Sequence, residues 1–277
     1  MTNNQNITKK KVSTFLVILA VIAAIFNFLI IRNGGKIEEN LPYAAVLIFS
    51  PAIIGLVVNL IYEKNIRGFA WKWKNTKLQL LSYIVPMLYI GAAYGLVLAL
   101  GLAQLDMHKV QDLGLKGLLM IPTLGLTGVV FQVLGEEIGW RGFLLNNLYK
   151  IHGFGKASLI TGIVWALFHY PLLLMGNYNN GATPLVYALF WFTIAILGAN
   201  TIINWLYIKS GSLWTAVIFH TVHNSLLNDI DPLILNTKIS PYLLTEFGAV
   251  LALAILVTAV IFWSKRKELP PRTELGT

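Results

Sequence analysis

The sequence contains no cysteine and little charge. Without cysteine there are no disulfides, no thiolate-bound metals and no cysteine nucleophile. Only 12% of the 277 residues are charged, 56% are hydrophobic, and the mean hydropathy is +0.68. A soluble domain carries about twice that share of charge, so the chain reads as an integral membrane protein. Other patterns are missing too. No Gly-x-Ser-x-Gly elbow marks a serine nucleophile, and no His-Glu-x-x-His helix demands a metal. No internal repeat supports an inverted-repeat transporter.

The apolar residues fall into eight stretches long enough to cross a bilayer, which takes about 20 residues each. They lie near 12–31, 43–62, 78–101, 118–148, 157–175, 184–207, 211–229 and 242–263. The fourth is too long for one straight crossing. Its Pro122, Gly125 and Gly128 predict a break or kink. The expectation is an all-α polytopic membrane protein of about eight transmembrane helices. An even count puts both termini on one side. That side holds all of the 21 Lys and Arg residues except Arg32, Lys36, Lys109, Lys116 and Lys238. By the positive-inside rule both termini are therefore expected in the cytoplasm. The net charge of +9 is then a matter of topology, with the bilayer as partner and no nucleic acid expected. The same reading covers Arg67 to Lys74, where bases alternate with aromatics: Trp71 and Trp73 sit at the interface, and the lysines face anionic headgroups. The basic tail after Trp263, with Pro270-Pro271, is expected to be disordered.

Within these apolar stretches a few polar residues stand out, because charge inside a bilayer is expensive and is kept where it has a partner, a wet cavity or a task. Gly135 to Gly142 carries Glu136, Glu137 and Arg141. On a helix Glu137 and Arg141 are four apart and can pair. Glu136 faces about 100° away with no obvious local partner. The fifth stretch carries Trp165 and His169, and the seventh carries His220, His223 and Asn224. Glu136 lies about 21 Å from the level of Lys150, His169 about 20 Å from Lys156 and His220 about 16 Å from Lys209, at the helical rise of about 1.5 Å per residue. Three segments thus place ionisable groups at a similar depth. Unrelated structural histidines have no reason to do so. Glu246, near the outer end of the last stretch, reads as a snorkelling or packing residue.

A carboxylate, two imidazoles and a carboxamide suit water activation and oxyanion stabilisation. On this reading Glu136 is the general base, His169 orients the water, and His220 and Asn224 hold the developing oxyanion. Glu137 and Arg141 orient their helix, Trp165 forms a wall, and His223 supports from behind. Glu136, His169 and His220 also suit a catalytic zinc with an open position, so the residues leave two mechanisms open: no cofactor, or one zinc ion.

Glu136-Glu137-x-x-x-Arg141, Trp165-x-x-x-His169 and His220-x-x-x-Asn224 together resemble the three-motif signature of the CAAX protease and bacteriocin-processing family. That family includes Abi-type bacterial proteins and the Ras-converting CAAX prenyl endopeptidases. Trp165 departs from the Phe common at that position. The resemblance implies an intramembrane endopeptidase with a cavity reached from the cytosol and the bilayer, and the short, basic-tailed chain points to a bacterial plasma membrane. Glu136 and His169 would activate water, and His220 and Asn224 would form the oxyanion site. The substrate would be a hydrophobic or lipidated peptide or protein, in CAAX-type processing, peptide maturation or bacteriocin self-immunity. The chain divides into three segments: helices 1–3 with the basic head and interfacial loop in 1–116, a catalytic core of helices 4–7 in 117–230, and the last helix with its tail in 231–277. Two other readings use the same residues, a proton-coupled carrier and a non-catalytic immunity or scaffold protein.

Overall fold

In the computed structural model, which describes residues 3–124, 126–176, 181–235 and 237–272, the apolar stretches are largely helical. α1 is Asn3–Arg32, α2 Leu41–Glu63, α3 Thr76–Ala99, α4 Met107–Leu124 and α5 Leu126–Glu137. A π-helical segment, Ile138–Leu145, continues α5 into α6, Asn146–His152. Then come α7 Phe154–Met175, α8 Leu185–Ser210, α9 Leu213–Ile230, the short α10 Ser240–Leu243 and α11 Ala249–Ser264. The fold is all-α and polytopic. Among the described residues six helices are long and apolar enough to cross a membrane, or seven if the α4 and α5–α6 pair forms one bent span. α9 is the stretch outside that count. Its histidines and amides reduce its hydropathy, and it packs among α3, α5 and α8.

The break expected in the fourth stretch falls between Ile121 and Leu126, where the chain bends by 50°. Gly125 lies outside the described residues, and Gly128 sits inside α5. An earlier kink comes at Gly114, whose φ of 66° and ψ of 172° suit only glycine.

Several of the basic residues, among them Lys11, Arg67 and Lys150, meet at one end of the bundle. Lys11 Nζ donates to Glu63 Oε1 at 3.0 Å, and Asn146 Nδ2 to the Gly68 carbonyl. The Leu213 amide donates to Ala70 O at 2.8 Å, and Trp214 Nε1 to Trp71 O at 2.9 Å. Residues 265–272, expected to be disordered, are instead docked at this end. Trp205 Nε1 donates to Lys265 O, Lys209 Nζ to Glu268 O, and Tyr149 OH to Pro270 O. These bonds use backbone carbonyls of the tail, which every sequence possesses and composition cannot reveal. One hydrophobic core runs from Val12 and Phe15 in α1 through the middle helices to Phe262 in α11, so all three sequence segments share it.

Two close contacts set the placing of the helices. Gly139, in the π segment, lies so close to α2 that a Cβ on it would stand 2.4 Å from the backbone carbon of Pro51. The end of the bundle opposite the basic one is closed by Tyr94, which donates to Asp231 and accepts from the Thr245 amide at 3.2 Å. Burial pushes the Asp231 carboxyl up to about 6, with the Tyr94 bond acting in the other direction.

Gly139→Ala is expected to lower the thermal unfolding midpoint in detergent, at an overpacking cost of about 1–3 kcal/mol. Gly91→Ala in α3, where a Cβ meets nothing within 4 Å, is expected to leave the midpoint unchanged or slightly raised. Because Asp231 holds its proton more tightly when folded, stability falls as pH rises from about 4 to about 6 and is level above that. Unfolding of Asp231→Asn across this range should lack that slope.

Candidate active site

The candidate site is built where α5, the π segment, α7, α8 and α9 meet. Glu136 and Glu137 are neighbours at the end of α5, so their side chains diverge by about 100°. Glu136 points into a cavity and Glu137 into the protein.

Glu137 and Arg141 have no measurable exposure. Arg141 Nη1 donates to Glu137 Oε1 at 2.7 Å. Its remaining nitrogens reach α8, with Nε on Asn204 Oδ1 at 3.2 Å and Nη2 on Asn200 Oδ1 at 3.3 Å. The two asparagines are four apart on one helical face and donate onward to Ser158 of α7, to its carbonyl at 2.8 Å and its hydroxyl at 3.2 Å. The guanidinium also stacks 4.5 Å from the Trp165 ring centroid. Every side of the buried cation is thus met by a carboxylate, an amide or a π face.

Glu137 Oε1 also accepts from His220 Nδ1 at 2.8 Å. With Nδ1 committed, His220 Nε2 faces Asn224, whose Nδ2 lies 3.2 Å away. This pairing sets the neutral tautomer, in which Asn224 donates and His220 Nε2 accepts. Glu137 therefore does more than pair with Arg141: it aims the imidazole.

Glu136 has the local partners that its sequence context did not suggest. Trp140 Nε1, one turn later, and Trp165 Nε1, from α7, both donate to Oε2, at 3.2 and 3.0 Å. Oε1 has no protein partner among the described residues. The Trp165 carbonyl accepts from His169 Nδ1 at 2.9 Å, and the Trp165 ring stands edge-on to His220 at 5.2 Å. One tryptophan thus contacts Glu136, Arg141, His169 and His220. A phenylalanine could not supply the N–H to Glu136.

The structure brings Glu136, Trp165, His169, His220, His223 and Asn224 to one cavity of about 700 Å³, mouth included. Glu137 and Arg141 lie behind its wall. His223 is held by Tyr89, with the hydroxyl 2.7 Å from Nδ1. Glu246, read from the sequence as a snorkelling or packing residue, lines this cavity instead, as does Gln132 one turn before Glu136. A second, more apolar cavity between α1, α2, α5 and α7 meets the first at Gln132, Glu136 and His169. Among the described residues no three His, Asp or Glu side chains are arranged to hold a metal ion. Of the suggested zinc ligands, Glu136 Oε2 is turned onto two indoles and His220 onto Glu137 and Asn224.

Several of these residues are not apparent from the three motifs. Asn200 and Asn204 obey the rule that polar groups in a span need a reason, and their four-residue spacing was the available signal. Trp140 reads in sequence as one more aromatic, and its N–H as a donor emerges only with the fold.

Residues 118–226 match the family model for type II CAAX prenyl endopeptidase Rce1-like proteins. The CAAX prenyl protease 2 of Methanococcus maripaludis is 33% identical over 135 residues, covering 47% of this chain and 46% of that protein. The chain thus spans about half the length of that curated relative.

Glu137→Gln leaves the Arg141 charge buried without its counterion, a loss of about 3–5 kcal/mol. Its unfolding midpoint in detergent is expected to fall sharply. Glu136→Gln, whose side chain faces the cavity and can still accept from both indoles, is expected to unfold close to wild type.

Proposed function

We propose that the chain is an intramembrane endopeptidase, because its segment 118–226 matches the Rce1-like CAAX prenyl endopeptidase family model. We propose that it hydrolyses peptide bonds of hydrophobic or lipidated peptides at the cavity holding Glu136. The observation that carries this reading is the convergence of Glu136, His169, His220 and Asn224, from three separate helices, on one cavity.

In the proposed reaction the free Oε1 of Glu136 takes a proton from a water molecule while the two indole N–H groups hold the carboxylate in place. The resulting hydroxide adds to the scissile carbonyl carbon. His169, its tautomer fixed by the Trp165 carbonyl, helps orient that water. The carbonyl oxygen gains negative charge and is met by Asn224 Nδ2. His220, held through Nδ1 by Glu137 and accepting from Asn224 at Nε2, keeps that amide turned so that its other N–H meets the oxyanion. The C–N bond then breaks, and Glu136 returns its proton to the departing amine. This route uses protein groups and water, with no cofactor. The zinc alternative would require Glu136 and His220 to leave their present partners. The two cavities meeting at Glu136 give the chain room on both sides of the scissile bond, as an endopeptidase requires. The concentration of basic residues at one end supports a cytoplasmic placing of both termini.

Membranes holding wild type or Glu136→Gln at equal levels, with and without a chelator, test this by mass spectrometry of released peptides. Wild type should release peptides absent from the variant, and the chelator should not stop it. Asn224→Ala should slow release by about 10²–10³. Release by Glu136→Gln at the wild-type rate would refute the reading, and chelator sensitivity would refute the metal-free route.

A further inference from the structure

A polar pocket of about 520 Å³, mouth included, opens at the basic end of the bundle and shares no residue with either cavity at Glu136. Lys11 enters it from α1 and is 5% exposed. Its Nζ donates to Asn59 Oδ1 at 2.9 Å and Glu63 Oε1 at 3.0 Å, and lies 5.7 Å from the Phe143 ring centroid. Arg67 and Lys150 also line the pocket, with exposed side chains at its rim. Three cations and one carboxylate, Glu63, thus line the same pocket. The wall opposite Lys11 belongs to the π segment and the start of α6. There Asn146, 4% exposed, donates through Nδ2 to the Gly68 and Gly142 carbonyls. Its buried Oδ1 has no partner among the described residues.

We infer that this pocket binds an anionic phosphodiester that also carries a hydroxyl, the chemistry of a glycerophospholipid headgroup. The excess positive charge suits the phosphate, and a hydroxyl supplies the donor that Asn146 Oδ1 lacks. The position favours a lipid over a soluble anion. The pocket lies where α1, α2 and the loop of Trp71 and Trp73 reach the end of the bundle, the level at which headgroups meet a membrane protein. Its wall is continuous with the segment bearing Arg141, so an occupied pocket braces the helix on which the Glu137–His220 pair depends.

The test uses the full chain in mild detergent and native mass spectrometry. Equal amounts of phosphatidylglycerol and phosphatidylcholine are offered, and sn-glycerol 3-phosphate is titrated separately. Wild type should retain phosphatidylglycerol preferentially. Arg67→Gln/Lys150→Gln, which alters only exposed side chains, should weaken that retention at least about tenfold. Lys36→Gln/Lys238→Gln, at the opposite end, should not. Binding of glycerol phosphate that the rim variant abolishes, with no lipid preference, would uphold the pocket and assign it to a soluble phosphate. Equal retention of both lipids with no glycerol phosphate binding, or equal loss in the two variant pairs, would overturn the inference.

Discussion

A guanidinium shut away from both water and lipid headgroups must be satisfied entirely by the protein, and Arg141 imposes that demand on three other elements at once. Glu137 neutralises it from one turn away, Asn200 and Asn204 accept its remaining hydrogens from α8, and Trp165 of α7 covers its face. Such a charge adds little net stability, since desolvation offsets the Coulombic gain. It does confer directional constraint: α5, α7 and α8 have few mutual arrangements that leave the cation satisfied.

The candidate site inherits its geometry from that constraint. The carboxylate oxygen that neutralises Arg141 also holds His220 Nδ1, which leaves Nε2 toward Asn224. Trp165 covers the guanidinium and in the same pose reaches Glu136 and His169. The two adjacent glutamates divide the work by facing different ways. One anchors the buried cation, and the other keeps an oxygen open to the cavity.

Much of this is legible in the sequence because polar residues are so rarely placed in apolar stretches. The eight stretches are largely helical, the fourth as several pieces with a 50° bend, and Glu136, His169, His220 and Asn224, separated by up to 88 positions in the chain, line one cavity. Equal depth along separate helices is a three-dimensional statement that a one-dimensional pattern can make, provided the helices cross the same slab. The pattern was silent where neutral groups do the bonding. Asn200 and Asn204 lie in a long apolar helix without charge to draw attention, and Trp165 read as a wall and Trp140 as one more aromatic before their N–H groups had an acceptor. α9 does not itself satisfy the length and apolarity of a free span, because its neighbours rather than lipid surround its polar side.

The π segment, within which Gly139 is seated against Pro51 of α2, was not legible either. It has a consequence for how this region tolerates change. A π turn holds more residues than an α turn, so the helix running from Glu136 to Asn146 is set by how many residues it contains as well as by which ones they are. Deleting one residue from a tolerant position between 138 and 145 would let the backbone relax toward regular α-helix. Because each α residue turns further than a π residue, the shortened segment would cover nearly the same rotation, and Glu137 and Asn146 would keep their bearings on His220 and Gly68. The side chains in between, Arg141 among them, would be the ones displaced. The length of this segment is therefore a variable that no substitution scan explores.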